Sequence, residues 1–204
     1  LESYGKPLIF VDSNTLYLGH SCVTTDLEDS VITALEYFLD HGHKEIGLLV
    51  GQEETADATP LQMDPRQRTF QQYLTEKGLY EERFVSVGQF STESGYQLME
   101  QLIQALGDDL PTAFFMASDA LAVGALRSLQ EHQIAVPDRV SLISFNDTSI
   151  AKYVFPALST VTVYTEEMGK QAIQMLRQTF QGAQPSVPYM VKLATKLTIR
   201  DSSR

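Results

Sequence analysis

The sequence predicts an α/β fold in which a parallel sheet is covered by helices on both faces. Short apolar runs alternate with segments of 10 to 15 residues that have helical periodicity. Each helical segment is bounded by capping and stop residues. Strands joined through helices of that length make right-handed crossovers, which place successive strands parallel.

The first run, Lys6-Pro7-Leu8-Ile9-Phe10-Val11-Asp12, is apolar and ends in an acid, as a buried strand does where it emerges at the sheet edge. Asp26 then caps a helix through about Asp40, with Val31, Leu35, Phe38 and Leu39 on one face and Gly42 as the stop. Residues 45–50 (EIGLLV) form the next strand. Asp64-Pro65 pairs an N-cap with proline at the first helical position, and that helix ends before Gly78.

Residues 83–87 form a strand, and residues 91–106 a helix with Tyr96, Met99, Leu102, Ile103 and Leu106 at helical spacing. A strand over 113–117 leads through Ser118-Asp119 into a helix ending near His132. Strands over 140–145 and 158–163, a helix over 166–180 and edge strands over 189–200 complete the chain. Residues 51–63 (GQEETADATPLQM) are a polar connection of about thirteen residues, a length often tied to function.

Composition narrows the classes. With 43% hydrophobic and 20% charged residues the chain is that of a globular protein, and no run approaches the roughly 18 apolar residues of a membrane span. A formal net charge of -11, with the basic residues scattered, argues that this polypeptide alone does not hold a phosphate backbone. The single cysteine, Cys22, excludes an internal disulfide and fits a reducing, cytoplasmic compartment.

Ligands of open parallel sheets bind beyond the carboxyl ends of the strands. Those ends are followed here by Asp12-Ser13-Asn14, by the long connection leading to Arg66, by Gln89-Phe90-Ser91, by Ser118-Asp119 and by Asn146-Asp147-Thr148. Carboxylates, amides and a guanidinium match vicinal hydroxyls, and an aromatic ring covers the apolar side of a pyranose, so the set suits a sugar. Each residue has a plainer reading: Asp119 and Asp147 as helix caps, Arg66 as a surface ion pair, Phe90 as core.

Catalytic and metal signatures are missing. Neither Gly-x-Ser-x-Gly nor a glycine-rich phosphate cradle occurs. His41 and His43 flank a helix end, where histidine compensates the helix dipole, and Cys22 has no basic neighbour to activate it. The acid pairs Glu53-Glu54, Glu81-Glu82 and Asp108-Asp109 read as solvated loop residues. No catalytic residue, metal or cofactor is expected.

Five motifs, in order, carry a family resemblance: Asp40-His41-Gly42-His43-Lys44-Glu45-Ile46-Gly47, Pro65-Arg66-Gln67-Arg68-Thr69-Phe70, residues 111–129, residues 136–147, and Pro156-Ala157-Leu158-Ser159-Thr160-Val161. Their order and spacing resemble the effector-binding core of the lactose/galactose-type repressors. The resemblance implies a periplasmic-binding-protein-like fold of two α/β lobes, with the second lobe only partly present, and a helix-turn-helix head beyond this chain that reads operator DNA. It divides the chain into 1–25 and 162–189 as parts of the N-terminal lobe, 26–161 as the C-terminal effector-binding and dimerisation lobe, and 190–204 as its closing strands and tail. Apolar surface is then expected where partner strands would lie.

The resemblance also assigns roles. Arg66 matches the arginine that grips sugar hydroxyls, and Asp12 the acid at the first cleft strand. Phe90 takes the place of a stacking aromatic. Ser118 stands where asparagine is usual, ahead of Asp119, and Asn146 where aspartate is usual. The small, smooth helix start ASDALAVGALRSL is then a dimer face, with Ala122, Val123 and Leu126 joined by Tyr153, Val154 and Phe155. The plainer reading of that helix is an ordinary buried crossover.

The function expected is the sugar-responsive module of a homodimeric bacterial repressor controlling use of a galactose-like sugar. Its rivals are an extracytoplasmic sugar-transport binding protein, which would be monomeric, and a sugar-acting enzyme using Asp12, Asp119 and Asp147, for which nothing stands at catalytic spacing.

Overall fold

The computed structural model describes residues 6–52, 63–183 and 185–204. The chain packs as two compact units, one of residues 1–26 and 163–195, the other of residues 27–162 and 196–204.

The smaller unit holds a three-stranded parallel sheet, in which β2 (Ser21–Thr25) lies between β1 (Ile9–Val11) and β8 (Met190–Leu193). Helix α6 (Thr165–Phe180) covers it, burying Met168, Ala172 and Met175 against Val23, with Ile9, Tyr189 and Val191 at the margin. The spacing of those three helix residues, i, i+4 and i+7, is the apolar stripe of an amphipathic helix. The opposite face of α6 exposes Ile173 and Phe180, and Tyr17 and Leu18 are also exposed.

The larger unit is a six-stranded sheet in the order β4-β3-β5-β6-β7-β9, parallel except where β7 meets β9. Its strands are β3 (Ile46–Gly51), β4 (Val85–Gly88), β5 (Ala113–Met116), β6 (Ser141–Asn146), β7 (Ser159–Thr162) and β9 (Lys196–Thr198). β3 and β5 are buried along their whole length, the pattern of strands covered on both faces. The helices are α1 (Leu27–Asp40), α2 (Pro65–Glu76), α3 (Thr92–Leu106), α4 (Asp119–Glu131) and the short α5 (Ile150–Tyr153).

Local chemistry sets their limits. Asp64 caps α2 by accepting from the Arg66 backbone N–H, with Pro65 in the first turn, and the Ser91 and Ser118 hydroxyls cap α3 and α4.

Three differences from expectation have physical causes. β2 is a central strand that sequence patterning did not anticipate, because Ser-Cys-Val-Thr-Thr lacks an apolar run. The strand pair expected to close the larger unit is divided: β8 joins β2 in the smaller sheet, while β9 pairs antiparallel with β7. The end of the chain is no loose tail. Ser202 Oγ donates to the Leu142 carbonyl and accepts from Ser159 N–H, and Ser203 Oγ donates to Ser159 Oγ, all buried. Residues 53–62, most of the long connection and its Glu53-Glu54 pair, lie outside the described residues.

The smooth face of α4 lies against α3 of the same chain. A β-carbon on Gly124 would stand 1.9 Å from the Thr92 carbonyl oxygen, and one on Gly95 2.2 Å from that of Leu121, so the two backbones meet through paired glycines. Ala122 is 0% and Leu126 3% exposed within this chain, which corrects their assignment to an intermolecular face. Val123 is half-buried, as is Val154, while Tyr153 and Phe155 are 84% and 85% exposed.

Candidate functional site

The larger unit gathers its candidate residues beyond the carboxyl ends of β3, β4, β5 and β6. Arg66 enters from the first turn of α2, where the Asp64 cap also stands. Its Nε donates to Asp64 Oδ1 at 2.9 Å and its Nη2 to Asp64 Oδ2 at 2.7 Å, a two-pronged carboxylate pair. Nη1 donates to the Ala117 carbonyl just past β5, at 2.7 Å. The guanidinium carbon lies 4.8 Å from the centre of the Phe90 ring and 5.3 Å from that of Phe145. Such cation–π contacts contribute on the order of 0.5–2 kcal/mol, more as water is excluded. Arg66 and Asp64 side chains are only 14% and 11% exposed, so the pair is a fixed fixture, not a solvated surface bridge.

Phe90 holds its place because residue 51 has no side chain. A β-carbon on Gly51 would fall 2.4 Å from the Phe90 ring. The ring is half-buried and combines its two readings, packing on β3 while stacking on Arg66.

The turn after β6 is strained and firmly held. Asn146 and Asp147 have φ of 109° and 57°, a left-handed region that asparagine and aspartate tolerate better than most residues. Asp147 accepts from Arg200 Nη2 at 2.7 Å and from Thr162 Oγ1 at 2.9 Å. Its N–H donates to Thr160 Oγ1. This anchorage re-aims the chain at Asn146, whose side chain is half-buried at the strand end.

Asp119 has a different task from the one expected. Its Oδ1 accepts from Ser144 Oγ at 2.5 Å and Thr160 Oγ1 at 3.0 Å, and its Oδ2 from Thr148 N–H at 2.6 Å and Oγ1 at 2.8 Å. At 1% exposure, with four donors to two oxygens, it is a structural tie and not a ligand contact. Ser118 is 6% exposed, and its Oγ accepts from Leu121 N–H as the cap of α4.

Asp12 belongs to the other unit. It follows β1 with φ of 63°, and its N–H donates to the Val23 carbonyl. The structure thus groups Arg66, Phe90, Ser118 and Asn146 in one unit and Asp12 in the other.

Asp64, Phe145 and Arg200 were not anticipated at the site. Asp64 was legible only as a cap, Phe145 as core, and the partner of Arg200 lies 53 residues away. Among the described residues no group of three or more His, Cys, Asp or Glu could hold a metal ion, and no helix is long and apolar enough to cross a membrane. His43 bonds Thr112 Oγ1 and the Arg204 carbonyl, and His41 lies on the Tyr37 ring.

Comparison with known proteins follows the same lines. The model of the family described as "periplasmic binding protein-like domain" matches residues 35–203. The chain is 52% identical over 204 residues to the HTH-type transcriptional regulator GalR of Streptococcus thermophilus, spanning 100% of this chain and 61% of that protein. It is 37% identical over 195 residues to the HTH-type transcriptional regulator GanR of Bacillus subtilis strain 168, spanning 95% and 59%. The chain therefore covers about three fifths of the length of these curated relatives. Among solved structures, the transcriptional regulator CelR in complex with cellobiose has a TM-score of 0.82 at 26% identity, covering 97% of this chain and 59% of that one.

Proposed function

We infer the function of this chain from its family: it belongs to the periplasmic-binding-protein-like domains, in the branch of the lactose/galactose-type regulators. It serves as the effector-binding and dimerising part of a cytoplasmic transcriptional repressor that responds to a galactose-like sugar. The whole protein binds operator DNA through a helix-turn-helix head. The named relatives are regulators, which favours this reading over a transport protein.

One observation carries the sugar reading: Arg66, immobilised between two phenyl rings and a carboxylate at the strand ends, with N–H groups left to donate. A guanidinium has five N–H groups. Three go to Asp64 and Ala117 among the described residues. One each on Nη1 and Nη2 remains, a forked donor suited to adjacent sugar hydroxyls. Phe90 offers a ring at the same place, and Asn146 a carbonyl and an amide, able to accept and to donate.

Binding a sugar better in one conformation of the protein than in another shifts the equilibrium between them, and the paired heads read that shift. Pairing runs through Tyr153, Val154, Phe155 and Val123, where two aromatic side chains stand in solvent.

The test is thermal unfolding of the full-length protein with galactose, galactosides, other hexoses and pentoses. A sugar at about 100 times its Kd stabilises the native state by about 2.7 kcal/mol, a rise of several degrees. Arg66→Ala abolishes that rise while unfolding cooperatively without sugar. Failure of every sugar to raise the melting temperature overturns the assignment.

A further inference from the structure

The charge balance around Arg66 bears on which sugars the site accepts. An arginine that receives a phosphate or carboxylate ester presents its charge and its forked N–H edge to the anion. In this chain the Nε/Nη2 edge is already filled. Asp64 takes both Nε and Nη2 through its two oxygens, at 2.9 and 2.7 Å, and the pair is largely withdrawn from water. An incoming anion would meet the Asp64 carboxylate about as closely as the guanidinium, with little solvent to screen either.

Among the described residues, neither Arg200 nor Arg68 makes up the difference. Arg200 is paired with Asp147 at 2.7 Å and is 17% exposed. Arg68 lies two residues along α2 from Arg66, and positions i and i+2 of a helix do not face each other. Asp119 adds a buried negative charge below the same strand ends. Hydroxyl groups lose nothing in this field, because an N–H on each of Nη1 and Nη2 still donates.

We propose that Asp64 is a specificity-determining positioning residue, which by pairing Arg66 restricts the site to uncharged sugars and excludes their phosphate esters. This rests on the reading of the site as a sugar site and adds the ligand class. Asp64 acts through Arg66: it aims the guanidinium and offsets its charge.

Titration calorimetry of the full-length protein with galactose, galactose 1-phosphate and galactose 6-phosphate, extended to glucose and its 6-phosphate, tests it. Wild-type protein binds a free sugar at least about 100-fold more tightly than its ester. Asp64→Asn and Asp64→Ser both keep a side chain favoured at the N-cap and remove the charge. Each narrows that ratio by about tenfold or more, chiefly by gaining affinity for the ester.

A wild-type protein that binds an ester as tightly as the free sugar overturns the proposal and leaves the sugar site standing. An equal loss for free sugar and ester in both variants reduces Asp64 to a structural cap and also overturns it. Absence of binding by every free sugar and ester removes the sugar reading itself, and the proposal with it.

Discussion

At Asp119 four hydrogen-bond donors converge on one carboxylate that is 1% exposed, and they come from β6, from the turn after it and from β7. The residue therefore holds the left-handed turn at Asn146 and Asp147 from below, where Arg200 and Thr162 hold it from the side. Asp119→Asn keeps the size but sets an amide nitrogen against donors, leaving at least one of them unsatisfied in the interior. The expected loss is about 2–4 kcal/mol, read as a fall in the urea midpoint at unchanged slope. A loss below about 0.5 kcal/mol would contradict the role assigned to it. Sequence could name Asp119 as cap or ligand because both readings are local. Its partners lie 25, 29 and 41 residues away, and no local pattern announces them. Arg66 was legible as a candidate from its place after a strand. The pairing with Asp64 was not, since a cap usually satisfies only backbone.

Among the elements, α3 and α4 are joined most closely. Their axes meet at Gly95 and Gly124, and polar contacts rim the crossing: Tyr96 Oη donates to Glu131, Ser128 Oγ donates to Glu100, and His132 bonds Glu100. The apolar and tiny residues of ASDALAVGALRSL thus answer to a helix of the same chain. Gly124→Ala would push a methyl group against the Thr92 carbonyl oxygen and the Tyr96 nitrogen, 1.9 and 2.5 Å from its ideal position. Backbone cannot rotate aside as a side chain does, so the helices must separate, and the better helix propensity of alanine does not offset that. Denaturant unfolding is expected to lose about 2–3 kcal/mol, against a gain of about 1 kcal/mol if the crossing were loose. Helices and buried strands were legible because caps, stops and periodicity are local. β2 was not, being rich in serine and threonine, and the parting of β8 from β9 was not, because strand partners are chosen across the chain.

For the whole molecule, the chain passes between its units after residues 26, 162 and 195, a division that periodicity alone does not announce. Two large aromatic side chains standing 84% and 85% exposed in a chain of net charge -11 are an unusual use of surface. The backbone that carries them is held in place. Gln130 Nε2 donates to the Phe155 carbonyl at 2.6 Å, and Leu158 N–H donates to that of Ala151, which ties their loop to α4 and to its own short helix. Pre-ordered aromatic anchors lose little entropy when a partner covers them, and they are the residues on which association energy concentrates. On the dimer reading, Tyr153→Asp and Phe155→Asp each weaken self-association at least 100-fold, about 2.7 kcal/mol. Neither changes the melting temperature of the isolated subunit, because neither side chain contributes to its core. Sedimentation equilibrium of the full-length protein separates the cases. A dimer that survives both substitutions at unchanged strength would move the interface elsewhere, and a wild-type monomer would overturn the dimer reading.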